Sequence, residues 1–495
     1  MADADLQELR ESFTEDDAAW SPIKDARLSD ILALGEGSTW DDKDRQTRKA
    51  ASRPCLSFDE LGQYVNQLVN DQREVNRAIE VNPSGDAASE SQARVIGGWI
   101  RQVEYRSNAQ LAYTQMFEDA AQGGYGFLRI VPRYVQQKIN TPSARSFDQE
   151  LRIEPIHNPE LVTPGYFTKP DGSDCTRWWV HESFTHAEFK REFPKARIKD
   201  FGESIGLAGP SWVDAQRVWA RELWRLKTRP KKLVLLALPP DPATGQEREP
   251  MAVWADTIPE DVEGLEVVRE RMVEQPYVCQ TITNGVEILQ EKEDWPGQYL
   301  PFVACVGKVL WIDGKRVLLS LIRKAKDGQQ LYNYYRTTEA EIVGMTPKFP
   351  WFTYKGALGV NELDDLAKSN QVPVGVIEID PAPMNWNAGH GPAPFPQRNP
   401  WDPPIQAFEM GAESTRRAIQ SATGTGFLPT EAQRNNQKSG VALREITSSA
   451  QKGAFHFIDN FEHALRRTGE ILVDLFPHYH DTKQILNVRT KDDRP

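Results

Sequence analysis

Cysteine is scarce in this sequence: Cys55, Cys175, Cys279 and Cys305 are the only four in 495 residues, far apart and with no C-x-x-C pair. That spacing argues against a zinc site and a disulfide framework and predicts four reduced, structural thiols. Long apolar runs are also missing. The longest, such as Leu233 to Leu238, fall far short of the roughly 20 residues that a membrane-spanning helix requires, so no membrane partner is expected. Met1 to Arg10 is acidic and polar where a signal peptide needs a basic start and an apolar stretch, which predicts a chain that stays in the cytosol where it is made. There is no excess of basic residues: 71 Asp and Glu stand against 59 Lys and Arg, a formal charge of -12, opposing the footprint of a protein that grips nucleic acid through its whole surface. No G-x-x-x-x-G-K-[ST] exists to cradle a nucleotide. Gly123-Gly124-Tyr125-Gly126 leads into a strand where a dinucleotide fingerprint would open a helix, so it reads as a turn. No cofactor, metal or catalytic residue is expected.

What is present is the composition of a globular protein, 39% hydrophobic and 26% charged, in a chain long enough for about two to four structural units. Half of the acidic excess lies in residues 1–50, with thirteen acids against seven bases, which predicts an acidic flexible arm. Ser57-Phe58-Asp59-Glu60 has the form of a capping box that opens a helix with Phe58, Leu61, Tyr64, Val65, Leu68 and Val69 on its buried face. A second helical region, about Ser89 to Gln122, breaks near Ser107-Asn108. Strands follow at Phe127–Val135, Leu151–Ile156 and Trp178–His181, then a capped helix at Thr185-His186-Ala187-Glu188 that Pro194 ends. Residues 217 to about 312 read as strands, including Val218–Leu226, Leu233–Leu238 and Val267–Val273, with a hairpin through Thr283-Asn284-Gly285. The fold class is α+β.

Past Gly314 the apolar period becomes helical. Asp327 opens a helix whose expected buried stripe is Leu331, Tyr334, Tyr335, Thr338, Ile342 and Met345, stopped by Pro347. Eight prolines between Pro381 and Pro404 make that part extended and unable to form a sheet interior. A helix returns at Gln406 to Gln420, and a polar loop occupies Ala422 to Lys438. One long helix then carries Leu443, Ile446, Ala450, Ala454, Phe457, Phe461, Leu465, Thr468, Leu472 and Leu475 at spacings of three and four, before Pro477.

Three local patterns invite chemistry and lack its spacing. His181-Glu182-Ser183-Phe184-Thr185-His186 has one residue too many for H-E-x-x-H, and reads as a strand end running into a helix cap. Asp171-Gly172-Ser173-Asp174 lacks the rest of a calcium loop and reads as a turn. Arg466-Arg467 reads as a solvated pair serving the helix dipole.

Seven separated pieces, in order, resemble the portal proteins of tailed bacteriophages, in particular the short-tailed-phage type. They are Arg53-Pro54-Cys55-Leu56 with Asn70-Asp71-Gln72-Arg73; Ile100 to Ala109; Ser146 to Glu150; Pro170 to Asp174; Ala325 to Gln329 with Tyr332-Asn333-Tyr334; Ser439 to Ala442; and Phe455 to Asn460 with Thr468 to Leu475. The resemblance implies a ring, typically of twelve copies, at one capsid vertex of the virion, assembled in the host cytoplasm, through which double-stranded DNA passes. It implies, after the arm at 1–50, a wing at 51–316, stem helices at 317–346 and 405–421, a clip at 347–404, a channel loop at 422–438 and a crown helix with tail at 439–495. Implied partners are the terminase large subunit, the major capsid and scaffolding proteins, head-completion or tail adaptor proteins, and DNA. Gln433, Arg434, Asn435, Asn436, Gln437 and Lys438 would then face DNA, and Trp351, Trp386 and Trp401 would serve the terminase- or tail-binding clip. Gly328 stands where such proteins commonly have proline, and after Leu475 there is no room before Pro495 for the long helical barrel of some relatives. The competing readings are a metal-dependent nucleic-acid enzyme, which would need converging carboxylates, and a scaffold or adaptor protein without a channel.

Overall fold

The computed structural model describes residues 2–35, 40–74, 78–83, 89–134, 149–198, 212, 217–237, 251–255, 266–293, 295–345, 351–368, 378–380, 394–398, 404–424 and 455–479. Helices α1 (Ala2–Leu34), α2 (Asp42–Ala50), α3 (Gly62–Glu74), α4 (Glu90–Ser107) and α5 (Ala109–Gly123) come first. Strands β1 (Tyr125–Tyr134), β2 (Gln149–Pro155), β3 (Val162–Pro164) and β4 (Arg177–Thr185) lead into α6 (His186–Glu192). Next are β5 (Arg217–Ala237), β6 (Met251–Trp254), β7 (Glu266–Thr283), β8 (Ile288–Lys292), β9 (Phe302–Val306), β10 (Lys308–Ile312) and β11 (Lys315–Leu319). The remainder holds α7 (Lys326–Met345), β12 (Trp351–Phe352), α8 (Val360–Lys368), β13 (Gln397–Arg398), α9 (Ile405–Thr423) and α10 (Phe455–Tyr479). The expected α+β class holds. Two compact units result, one of Met1–Leu28, Leu68–Ser320 and Phe455–Pro495, the other of Ser29–Gln67 and Leu321–Ala454.

The first unit carries an antiparallel sheet in the order β2-β1-β9, a larger one in the order β3-β4-β5-β7-β8 with β6 added to β5, and the β10-β11 hairpin. Its core is aromatic: Trp178 stacks on Phe302 at 5.2 Å and 11° and meets Phe127 edge-on at 5.2 Å. Geometries of this kind add about 0.5–1.5 kcal/mol beyond area burial. Four of the sequence expectations are modified by the structure. Where a flexible arm was expected over 1–50, residues 2–34 and 42–50 are helical; α1 buries Leu6, Leu9, Phe13 and Trp20, whose spacing of three, four and seven is helical, and Phe13 packs against Trp179 and Trp212. The same stripe contains Asp16 and Arg27, so its polarity hid its burial. The pieces at 218–226 and 233–238 are one strand, β5, paired with β7 across Lys227 to Lys232. The helix after Ser57 begins only at Gly62, where Asp59 Oδ1 accepts from the Leu61 and Gly62 N–H groups at 3.0 and 2.7 Å, so Phe58 precedes the helix and is exposed rather than on its buried face. Helix α10 runs two residues past Pro477, because a proline in the last turn costs one N–H and leaves the preceding ladder intact.

Helix α10 lies inside this unit. Phe457, Phe461, Leu465, Thr468, Leu472 and Leu475, all expected on one face, are all buried, and Asn460 Nδ2 donates to the Val306 and Gly307 carbonyls at 2.9 Å each. The expected upstream positions Leu443, Ile446, Ala450 and Ala454 lie outside the described residues. The break at Asn108 is a left-handed residue, φ 51° and ψ 46°, and the β7-β8 hairpin turns at Gly285 with φ 78°. All four cysteines are free; Cys175, Cys279 and Cys305 are buried, and burial pushes the Cys175 and Cys305 thiols up to about 12.

In the second unit α7 packs against α9. The buried stripe differs from the expected one: Leu331 and Tyr334 are exposed, whereas Gln329, Tyr332, Asn333 and Thr337 are buried. The reason is a polar ladder. Gln329 Oε1 accepts from Glu60 N at 3.0 Å, Asn333 Oδ1 from Phe58 N at 2.9 Å, and Thr337 Oγ1 from Leu56 N at 3.3 Å, while Gln329 also donates to the Phe58 carbonyl. Four residues of helix advance about 6 Å and two of extended chain about 6.6 Å, so a helix repeat of four matches a chain repeat of two. Glu341, one more step of four along α7, is paired with Arg53 and Arg48.

Candidate functional site

The six residues expected to face DNA, Gln433, Arg434, Asn435, Asn436, Gln437 and Lys438, and the clip residues Trp386 and Trp401, lie outside the described residues. Trp351 is described. It is half-buried in β12, where it pairs with Arg398 of β13, and Phe352 beside it pairs with Gln397 and is exposed. A two-residue ladder is what a Pro-rich segment permits, since proline supplies no ladder N–H. Helix α8 in the same stretch is held by Glu362, which accepts from Gly359 N at 2.6 Å and from Asp380 N at 3.0 Å.

The helices flanking this segment approach closely because two glycines face them. A Cβ on Gly328 would come within 2.9 Å of Ile419, and one on Gly411 within 3.1 Å of the Tyr335 ring. Glycine at 328 thus has a packing reason in this chain. The pair carries little charge: α7 has Lys326 and Arg336 against Asp327, Glu339 and Glu341, and α9 has Arg416 and Arg417 against Glu409 and Glu413, a sum of -1. Several are already paired, Arg336 with Glu339 at 3.0 Å and Arg416 with Glu60 at 3.1 Å. These two helices offer no basic stripe of the kind that holds phosphates.

The sequence patterns that invited chemistry resolve into structure. His181 is buried in β4 with Nε2 2.8 Å from Thr163 Oγ1, and burial, reinforced by Arg221 and Lys24, lowers its pKa well below the usual imidazole range. Thr185 and Glu188 form the expected capping box on α6. Asp174 accepts from Thr168 N, Thr168 Oγ1 and Lys169 N at 2.7, 2.6 and 3.1 Å; burial opposes ionisation there, but these donors outweigh it and hold the carboxyl below its ordinary value. Arg467 departs from expectation: it is buried mid-helix, over the Tyr299 ring at 4.3 Å and 3.1 Å from Glu470, because its position falls on the covered face of α10. Arg466 is exposed and 3.3 Å from the same Glu470.

Carboxylates that could hold a metal are sparse. Among the described residues, Cys279, Glu291 and Glu293 can bring ligand atoms within 4.8 Å of one another. The set mixes a buried thiol with two exposed carboxylates, and Lys227 already lies 3.7 Å from Glu293. Such a set does not match the oxygen-rich pair of sites used in two-metal phosphoryl transfer. No described helix is long and apolar enough to cross a membrane.

The described residues thus combine antiparallel sheets, the buried helix α10 and a nearly neutral helix pair flanking a Pro-rich segment. The chain matches the phage P22-like portal protein family over residues 10–495 and belongs to it. It is also 21% identical over 435 residues, 85% of its length, to the portal protein of Acyrthosiphon pisum secondary endosymbiont phage 1, and spans 58% of that relative.

Proposed function

We propose that the chain assembles through head-to-tail contacts into a closed, dodecameric ring at one capsid vertex, and that the ring is a passive conduit for double-stranded DNA during packaging and ejection. The observation that carries this reading is the family match across residues 10–495. The charge balance of α7 and α9 supports passivity: each phosphate neutralised adds about 0.9 to the salt slope and tightens binding, whereas a nearly neutral wall lets a duplex slide. Assembly takes place in the host cytoplasm with capsid and scaffolding proteins, and adaptor proteins follow after filling. The loop at 422–438 meets DNA through Gln433, Asn435, Asn436 and Gln437, which offer weak, exchangeable hydrogen bonds. Arg434 and Lys438 against Glu431 leave one net positive charge per copy. Phosphate contacts of this kind carry no sequence preference. The Pro-rich segment from 347 to 404 is the docking end for the terminase large subunit, with Trp351, Trp386 and Trp401 as candidate anchors, since tryptophan is enriched at interface hot spots.

Electron microscopy of the purified protein tests the ring directly. A ring with an axial hole is expected; monomers or two-fold dimers in every buffer tried would sink the proposal. Incubation with DNA and magnesium tests the enzymatic alternative, because reproducible cleavage is incompatible with a passive conduit.

A further inference from the structure

In the first unit, a groove of about 800 Å³ runs between the segment at 78–82 and helix α10. Its floor is aliphatic, formed by Ile79, Val81, Leu465 and Val473. The floor is narrow because Gly469 lets the segment come close: a Cβ there would lie 2.7 Å from Ile79 Cγ2. Its rim is acidic, with Glu80, Glu462, Glu470 and Asp474; Glu470 is held by Arg466 and Arg467 at 3.3 and 3.1 Å, and Asp474 Oδ2 accepts from Gln298 N at 2.7 Å. An aliphatic floor under four carboxylates fits a segment that alternates aliphatic and basic side chains. Val473 is 39% exposed and so has apolar surface still to cover.

We propose that this groove is the docking site for the chain's own residues Lys483 to Lys491. In sequence this segment is Lys-Gln-Ile-Leu-Asn-Val-Arg-Thr-Lys, with Ile485, Leu486 and Val488 for the floor and Lys483, Arg489 and Lys491 for the rim. It has three positive charges and no negative ones, the complement of the rim. The reach is sufficient. Helix α10 ends at Tyr479, about 7.5 Å beyond Asp474 along its axis, and residues 480–482 span up to about 10 Å when extended. A chain that reverses after Tyr479 therefore brings Lys483 alongside Asp474. The other cavity near the end of α10, lined by Tyr479, Arg129, Arg133, Lys292, Glu182 and Glu222, has three bases among these residues and suits a tripositive segment less well. The contact does not depend on the function proposed above.

Zero-length amine-to-carboxyl crosslinking of the full chain, in a mixture of isotopically light and heavy copies, tests the placement. The expected product joins Lys483 or Lys491 to Glu462, Glu470 or Asp474 within one copy. Links between light and heavy copies, links to Glu182 or Glu222, or no links from these lysines would overturn it. A labelled peptide of residues 483–491 provides the second readout. It should bind the full-length I485D/L486D variant, whose own segment is disabled, at least tenfold more tightly than the same variant carrying Val473→Asp. It should also lose affinity between 50 and 500 mM salt, as exposed charge pairs do. Equal binding to both variants would refute the groove as the site.

Discussion

At the residue scale, the buried polar side chains carry the most specific expectations. Asn333 supplies the acceptor for Phe58 N, so Asn333→Leu leaves that N–H without its partner. An unsatisfied group of this kind costs about 1–3 kcal/mol, and a chemical-denaturation midpoint lowered accordingly is the expected result; Asn333→Gly, which admits water, should cost differently. His181 gives the pH signature. Burial first, and Arg221 and Lys24 next, depress its folded-state pKa, so below its unfolded value of about 6.5 the unfolded chain binds a proton that the folded chain refuses. Its contribution is present above that pH and is lost as pH falls through the window beneath it. Thermal unfolding between pH 7 and 5 should show this loss, and His181→Gln should flatten that part of the profile.

At the scale of elements, α1 is the part whose role differs most from its composition. Phe13 is buried against Trp179 and Trp212, with the Arg221 guanidinium 4.0 Å from its ring centroid. Phe13→Ala should cost about 3–5 kcal/mol, and the chemical-denaturation midpoint followed by far-ultraviolet circular dichroism should fall accordingly. A neutral effect would mean that α1 contributes no core. The pair α7 and α9 makes the opposite demand, for small residues: Gly411→Leu pushes against Tyr335 and should cost about 1–3 kcal/mol through overpacking.

At the scale of the whole molecule, the predictions concern DNA and partners. Deleting Gln433 to Gln437 should leave rings in electron micrographs while lowering the amount of DNA packaged or retained. A phage with that deletion that fills and keeps full-length genomes would reduce the loop to a connector. The acidic balance of the chain, -12 in 495 residues, belongs to this scale as well: in the proposed conduit it weakens the hold on a polyanion, and it does not decide how the chain folds.

Periodicity alone determined the parts of this protein in which burial and apolarity coincide. The face of α10 from Phe457 to Leu475 was legible because one stripe of side chains is both apolar and covered, and the Thr185 capping box because four adjacent residues complete it. The α+β class followed from the same signals, and the family from pieces distributed along the chain. Tertiary structure decided the rest wherever the partner is distant in sequence. The stripe of α7 is polar because its partner is the backbone at 56–60, 269 to 281 residues away, and no local period announces an amide that binds another segment's N–H. Helix α1 was hidden in an acidic stretch because Asp16 is satisfied by Arg177 and Trp179 and Arg27 by Asp119 and the Tyr125 carbonyl. Charges paired across the fold look in sequence like charges for water. Composition records which groups a chain carries; only the packed fold determines which of them meet.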